Sequence, residues 1–194
     1  AEIFDPIAQT WTPVASMHQS RAYHTATLLS SGKVLVFGGV SSPGDLNVVA
    51  AGEIYDPIGN TWVFTATTGA PLPRYFHTAN PLAMSSALII GGRLSTGVET
   101  TTCFIYDSIA DTWITTGSLN TARAHHTSEV LSTGDILAIM GEALGTTIGT
   151  AEVYNVAGGT WTFTTNDPQL GRQSHASSVL NDNTVLVTGG SINA

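Results

Sequence analysis

The sequence predicts an all-β domain built from four copies of one unit, and three observations predict it. Tryptophans fall at Trp11, Trp62, Trp113 and Trp161, spaced by 51, 51 and 48 residues. Arginines Arg21, Arg74, Arg123 and Arg172 keep nearly the same period, and each is followed three residues later by a histidine: His24, His77, His126 and His175. Short apolar runs recur between them and stop at glycine. Independent residue types that share one period mark internal duplication, with each copy one supersecondary unit.

Each unit reads as four strands. The first follows the histidine, as in His24–Leu29 and His175–Leu180. A turn such as Ser31-Gly32-Lys33 or Thr133-Gly134-Asp135 leads to the second, Val34–Phe37, Ala87–Ile90, Ile136–Ile139 or Val185–Val187. Runs this short and wholly apolar read as strands buried on both faces. They end at Gly38-Gly39, Gly91-Gly92 or Gly189-Gly190, where the backbone can take positive φ or approach a neighbour closely. In repeat three Gly141-Glu142 stands in place of the second glycine, and in repeat two Ala83-Met84-Ser85-Ser86 replaces the glycine-containing turn. The third strand carries Glu-x-aromatic-Asp at Glu2–Asp5 and Glu53–Asp56, with the variant Glu152–Asn155. A turn such as Asp56-Pro57-Ile58-Gly59-Asn60, rich in residues with known turn preferences, joins it to the tryptophan strand.

Composition removes several function classes. Charged residues are 10% of the 194, Lys33 is the only lysine, and the formal net charge is −8. A nucleic-acid binder needs a basic footprint, and none is present. Attraction to anionic lipid is disfavoured for the same reason, and no apolar run approaches the ~20 residues of a membrane helix. Cys103 is the only cysteine, so no internal disulfide forms. Scarce lysine with abundant Thr and Ser leans toward a secreted or cell-surface protein. No Asn-x-Ser/Thr sequon accompanies it. The chain opens inside a strand pattern at Ala1-Glu2-Ile3-Phe4, which reads as a processed product or a fragment.

The diglycine, the aromatic-Asp pair and the spaced tryptophan resemble the kelch family, and the resemblance covers essentially the whole chain. It implies that each repeat forms one four-stranded blade of a propeller. The expected fold is therefore an all-β, four-bladed kelch-type β-propeller spanning residues 1–194 as a single domain. Six or seven blades are usual in that family, so four repeats are also consistent with a segment of a larger propeller protein. The N-terminal segment supplies a third and fourth strand, and the C-terminal segment a first and second. One blade is expected to be completed by both termini, with Val185–Val187 pairing the strand around Ile3 and Phe4. Between chains the same pairing would give self-association.

For function, the repeated tryptophans read as packing between blades. The repeated arginines and histidines read as bridges between strands or blades, with a four-histidine metal site as the rejected alternative. His18 and His125 lie outside the repeat. Galactose-oxidase-like enzymes carry kelch domains, and their Cys–Tyr cofactor would fall to Cys103 and Tyr106. Those residues sit three apart on one strand and point to opposite faces. No phosphate loop, nucleophile elbow or metalloprotease helix is present, so no catalytic, cofactor-binding or metal site is assigned. The second-to-third and fourth-to-first connections share one face and are long and dissimilar. Binding usually resides in such loops, and Leu46, Asn47, Arg93, Thr96 and Thr146 are the candidates there. The resulting expectation is a non-catalytic binding or scaffold propeller for a protein or glycan. The alternatives are a structural subunit of a surface layer or filament, and a propeller cut from a larger enzyme or adhesin.

Overall fold

The computed structural model describes residues 1–42, 44–168 and 170–192. All named elements are strands, and no helix among the described residues is long and apolar enough to cross a membrane. Three complete four-stranded antiparallel blades follow one another. Blade I comprises Thr25–Leu28, Val34–Phe37, Glu53–Asp56 and Thr61–Phe64. Blade II comprises Thr78–Leu82, Ser86–Ile90, Cys103–Asp107 and Thr112–Thr115. Blade III comprises Thr127–Val130, Ile136–Ile139, Ala151–Asn155 and Thr160–Phe163. This is the kelch β-propeller arrangement, with strands running in sequence order from the inner to the outer edge of each blade.

The apolar second strands form the core, as a strand covered on both faces must. Ala87, Leu88, Ile89 and Ile90 are all fully buried. Between blades I and II, Leu35 and Phe37 pack on Ala87, Ile89, Tyr106 and Trp113. Between blades II and III, Leu88, Ile90 and Cys103 pack on Ile136, Ala138, Tyr154 and Trp161. Cys103 and Tyr106 therefore lie on opposite sides of blade II. Burial raises the Cys103 thiol pKa to about 11, and Tyr106 donates its hydroxyl to Asp111 at 2.7 Å.

The repeated polar residues tie one blade to the next. The indole N–H groups of Trp62, Trp113 and Trp161 donate to the carbonyls of Ala15, Ala66 and Gly117 in the preceding connection. The amides of Gly39, Gly92 and Gly141 donate to the carbonyls of Arg74, Arg123 and Arg172 in the following blade. The aspartates of the third strand cap the outer turns: Asp5, Asp56 and Asp107 accept from the amides of Ile7, Ile58 and Ile109 at 2.8–2.9 Å. This is the local side-chain bond that makes Asp a turn former.

These bonds correct the reading of repeat three. Met140, not Gly141, is the substituted position. The Met140 carbonyl accepts from Arg123, as the Gly38 and Gly91 carbonyls accept from Arg21 and Arg74. Gly141 fills the second glycine's place, and Met140 takes φ 51°.

The termini also differ from expectation. Among the described residues, Glu2–Asp5 pairs only with Thr10–Pro13, and Ala176–Val179 only with Val185–Thr188, as separate two-stranded sheets. The pairing of Val185–Val187 with Ile3 and Phe4 is not formed. The Thr–His bond that joins successive blades at Thr25–His77, Thr78–His126 and Thr127–His175 has no counterpart to hold the C-terminal hairpin against blade I, because Ala176 stands in the threonine's place. Trp11 is accordingly 66% exposed, against 7% for Trp113 and Trp161. It stacks on Phe4 of its own hairpin, with ring centroids 5.1 Å apart.

Candidate functional site

The Arg-x-x-His segment enters the first strand of every blade, so it brings four equivalent sets of groups to the inner end of one face. Arg21 donates to the Gly38 and Ala51 carbonyls and to Glu53 at 2.6 Å. Arg123 does the same with Met140, Thr150 and Glu152 at 2.7 Å. Both pairs are fully buried. Glu53 and Glu152 also accept backbone amides, from His18 and Gln19 in one blade and from Asn120 and Thr121 in the other. Blade II departs: Phe104 occupies the carboxylate's place, Arg74 lies 5.4 Å from its ring centroid, and Thr102 takes the remaining donors. Burial without a carboxylate lowers the Arg74 pKa to about 10. Arg172 donates to the Gly189 and Leu170 carbonyls.

The histidines sit at the seams. His77, His126 and His175 bond through Nε2 to Thr25, Thr78 and Thr127 of the preceding blade, each at 2.9 Å. Among the described residues no three His, Cys, Asp or Glu side chains converge as a metal site. Burial, reinforced by the neighbouring arginine, pushes the His77 pKa down to about 3 and that of His126 well below 6.5. Burial also lowers those of His24 and His175.

A pH dependence follows. Folded, these imidazoles stay neutral; unfolded, they take a proton near pH 6.5. Their stabilisation is full above about pH 6.5 and is lost as pH falls toward the folded values, at about 1.4 kcal/mol per pH unit for each fully linked histidine. The melting temperature should therefore fall between pH 7 and 5, and His77→Asn should flatten that slope while lowering the value at pH 7. An unchanged melting temperature across that interval would refute the seam role.

The residue before each histidine adds a feature the sequence reading missed. Tyr23, Phe76, His125 and Ser174 all have φ between 52° and 59°. The amides of Phe76, His125 and Ser174 donate to the carbonyls of Tyr23, Phe76 and His125, a backbone ladder running from blade to blade. Their side chains form a ring ladder: Tyr23 on Phe76 at 4.5 Å, and Phe76 on His125 at 3.6 Å. Tyr23 is 48% exposed. Only the irregular series Tyr, Phe, His, Ser in an otherwise regular repeat signals this position in the sequence.

The long connections frame the ladder. Arg93 pairs with Glu99 at 2.7 Å and with Glu142, and Leu144 donates its amide to Glu99. These bonds join the loops of blades II and III. Burial, then the Arg93 charge, depresses the His125 pKa to about 4. Of the expected binding residues, Arg93 is thus an ion-pair member beside the ladder. Thr96 is exposed in the turn closed by Leu94 and Val98. Thr146 is exposed in the hairpin Glu142–Ala143/Thr146–Thr147. Asn47 lies exposed in the hairpin Val40–Ser42/Asp45–Val48, where it lines a separate cavity of about 460 Å³ with His18 and Ser41. The side chain of Leu46 lies outside the described residues. The two histidines outside the repeat both find roles: His18 bonds Glu53 at 2.9 Å and stacks on Phe64, and His125 belongs to the ladder.

Comparison with known proteins agrees with this geometry. The family described as "KLHDC2/KLHL20/DRC7 Kelch-repeats domain" matches residues 2–190. Mouse Kelch-like protein 35 is 34% identical over 112 residues, 57% of this chain and 18% of that protein. Adagio-like protein 3 of Oryza sativa subsp. japonica is 28% identical over 194 residues, 92% of this chain and 31% of that protein. The F-box/kelch-repeat protein At1g22040 of Arabidopsis thaliana is 42% identical over 60 residues, 30% of this chain and 12% of that protein. The chain spans less than a third of the length of these curated relatives. With the blade topology, the diglycine seams and a family match over nearly every residue, the chain belongs to the kelch-repeat family.

Proposed function

We propose that this propeller is a non-catalytic binding module whose long-loop face recognises a protein partner, with the Tyr23–Phe76–His125 ladder as its centre. One observation carries this reading. The backbone at these positions is the same in successive repeats, fixed by the blade-to-blade ladder, while the side chains differ. The conformation serves the fold, and the side chains are left free to read a ligand. Aromatic anchors on a rigid rim are the usual hot spots of protein recognition. The kelch-repeat relatives support a binding role in general terms. A place outside the cell rests on composition alone and would be checked by fractionation.

The test is selection of displayed peptides against the purified chain. Binders are expected to lose affinity about 30-fold or more on Tyr23→Ser or Phe76→Ser, in line with hot-spot losses of about 2 kcal/mol. They should be unaffected by Ile58→Ser in an outer turn of the opposite face. Tyr23→Ser should leave the melting temperature nearly unchanged, since the ring is half exposed. Binders sensitive to Ile58→Ser instead would move the site. A positive glycan array with no peptide binders would replace the protein partner with a sugar.

A further inference from the structure

The inner strands of the three blades and of the C-terminal hairpin line an axial groove of about 420 Å³. Its walls are threonines, serines, alanines and the histidine seams, with one carboxylate, Glu129. The polar groups are arranged in a second seam, two and three residues beyond each histidine. Ser128 donates to Asn80 at 2.5 Å, and Ser177 donates to Glu129 at 2.6 Å. Thr27 occupies the matching place in blade I, but Ala79 faces it, and the buried Thr27 hydroxyl has no partner among the described residues. Seam positions can thus be hydroxyl, amide or methyl without disturbing the blades, and a carboxylate at Glu129 is not required by the fold.

Nor is Glu129 neutralised. Among the described residues no cationic group forms an ion pair with it. Arg21, Arg93 and Arg123 are committed to other carboxylates, and Lys33 to Asp56. Arg74 is buried over Phe104, and Arg172 bonds two carbonyls. With six basic residues against fourteen acidic, the chain has no cation to spare. The nearby imidazoles His77, His126 and His175 are held neutral, so the groove keeps the single negative charge of Glu129. A partly desolvated carboxylate with one hydroxyl donor gains most from a charged hydrogen-bond donor. One carboxylate among neutral hydroxyls is too weak a set for a divalent metal, which calls for several charged oxygens. It suits a group with three N–H donors and one positive charge.

We infer that the axial groove binds a primary ammonium group, with Glu129 as its counter-ion and the neighbouring Ser128 and Thr127 oxygens as further acceptors. The ammonium could belong to a free alkylamine or to a lysine side chain, and the groove is open enough for either. This site is separate from the loop face, so Tyr23→Ser and Glu129→Gln report on different surfaces.

Amide chemical shifts would be followed by NMR at constant ionic strength, with n-butylammonium, spermidine and an N-acetylated, C-amidated Gly-Lys-Gly peptide as probes. At least one probe should shift Ser128, Glu129 and Ser177, and Glu129→Gln should weaken it tenfold or more. Glutamine keeps an acceptor for Ser177, so the fold should survive, and an unchanged melting temperature checks this. Asp135→Asn on the short-turn rim should leave binding unaltered. Shifts from the peptide assign a lysine of a partner, and shifts from the small amines alone assign a free ligand. No groove shift with any probe, equal affinity in Glu129→Gln, or the same shifts from sodium chloride at matched concentration would overturn the site.

Discussion

Glu152→Ala is expected to destabilise the protein by about 3–5 kcal/mol, the range found when one partner of a buried ion pair is removed. Glu152 and Arg123 are both fully buried, so the truncation leaves a guanidinium in the core with no counter-ion. It also strands the amides of Asn120 and Thr121 and the Asn120 side chain, all of which donate to Glu152. Blade II shows what a compatible replacement requires. There Phe104 takes the carboxylate's place and Arg74 lies over its ring. The residue matching Asn120 is Pro71, which has no amide hydrogen to strand. The two differences remove the acceptor and both donors of the Asn120 position together. Glu152→Phe combined with Asn120→Pro copies this solution into blade III and should recover at least half of the loss from Glu152→Ala. Urea unfolding of the three proteins measures it. A cost below about 1 kcal/mol for Glu152→Ala would mean that the arginine is stabilised by its carbonyl contacts alone.

Much of the blade was legible because the sequence writes it several times. Val34–Phe37 and Ile136–Ile139 were read with their observed bounds, since a wholly apolar run between a turn and a glycine admits few other forms. What escaped were properties that a letter does not carry. A glycine doublet does not say which member binds the next blade, and in repeat three only the hydrogen bonds of Met140 and Gly141 show that Gly141 holds the second place. Left-handed φ is expected of glycine and not of Tyr23, Phe76 or His125. Their ladder is imposed by neighbouring blades, which no local pattern records. The loop residues chosen for length and variability fell on two separate places: Arg93, Thr96 and Thr146 in the joined loops of blades II and III, and Asn47 at the cavity beside His18. Ion pairing between Arg93, Glu99 and Glu142 decides that division, and its members come from different repeats.

Gly92→Ala is expected to be about as damaging as loss of the buried carboxylate, and Gly97→Ala in the same connection supplies the comparison. Both glycines have left-handed backbones, φ 97° and 82°. At Gly97 an added Cβ would meet nothing within 4 Å, so alanine pays only for its conformation, about 1–2 kcal/mol. At Gly92 the same atom would stand 2.7 Å from the His77 Cβ and 3.0 Å from the Tyr75 carbonyl. Neither is the far end of a flexible side chain, so relief requires the backbone to move. The segments that would move are those that set the seam. The Gly92 amide donates to the Arg123 carbonyl of blade III at 2.8 Å. His77 Nε2 is bonded to Thr25 of blade I. Adding about 1–3 kcal/mol for overpacking to the conformational cost gives about 2–5 kcal/mol for Gly92→Ala. The second glycine meets the same obstruction in the other repeats: at Gly39 and Gly141 a Cβ would lie 2.5 Å from the carbonyls of Ala22 and Ala124. The first glycine's place is crowded too, since a Cβ at Gly38 or Gly91 would lie 2.4 or 2.7 Å from the carbonyls of Arg74 or Arg123, yet repeat three sets Met140 there with φ 51°. If Gly92→Ala and Gly97→Ala unfold at the same urea concentration, the diglycine serves backbone conformation only, and the close approach between strand and seam does not limit what residue 92 can be.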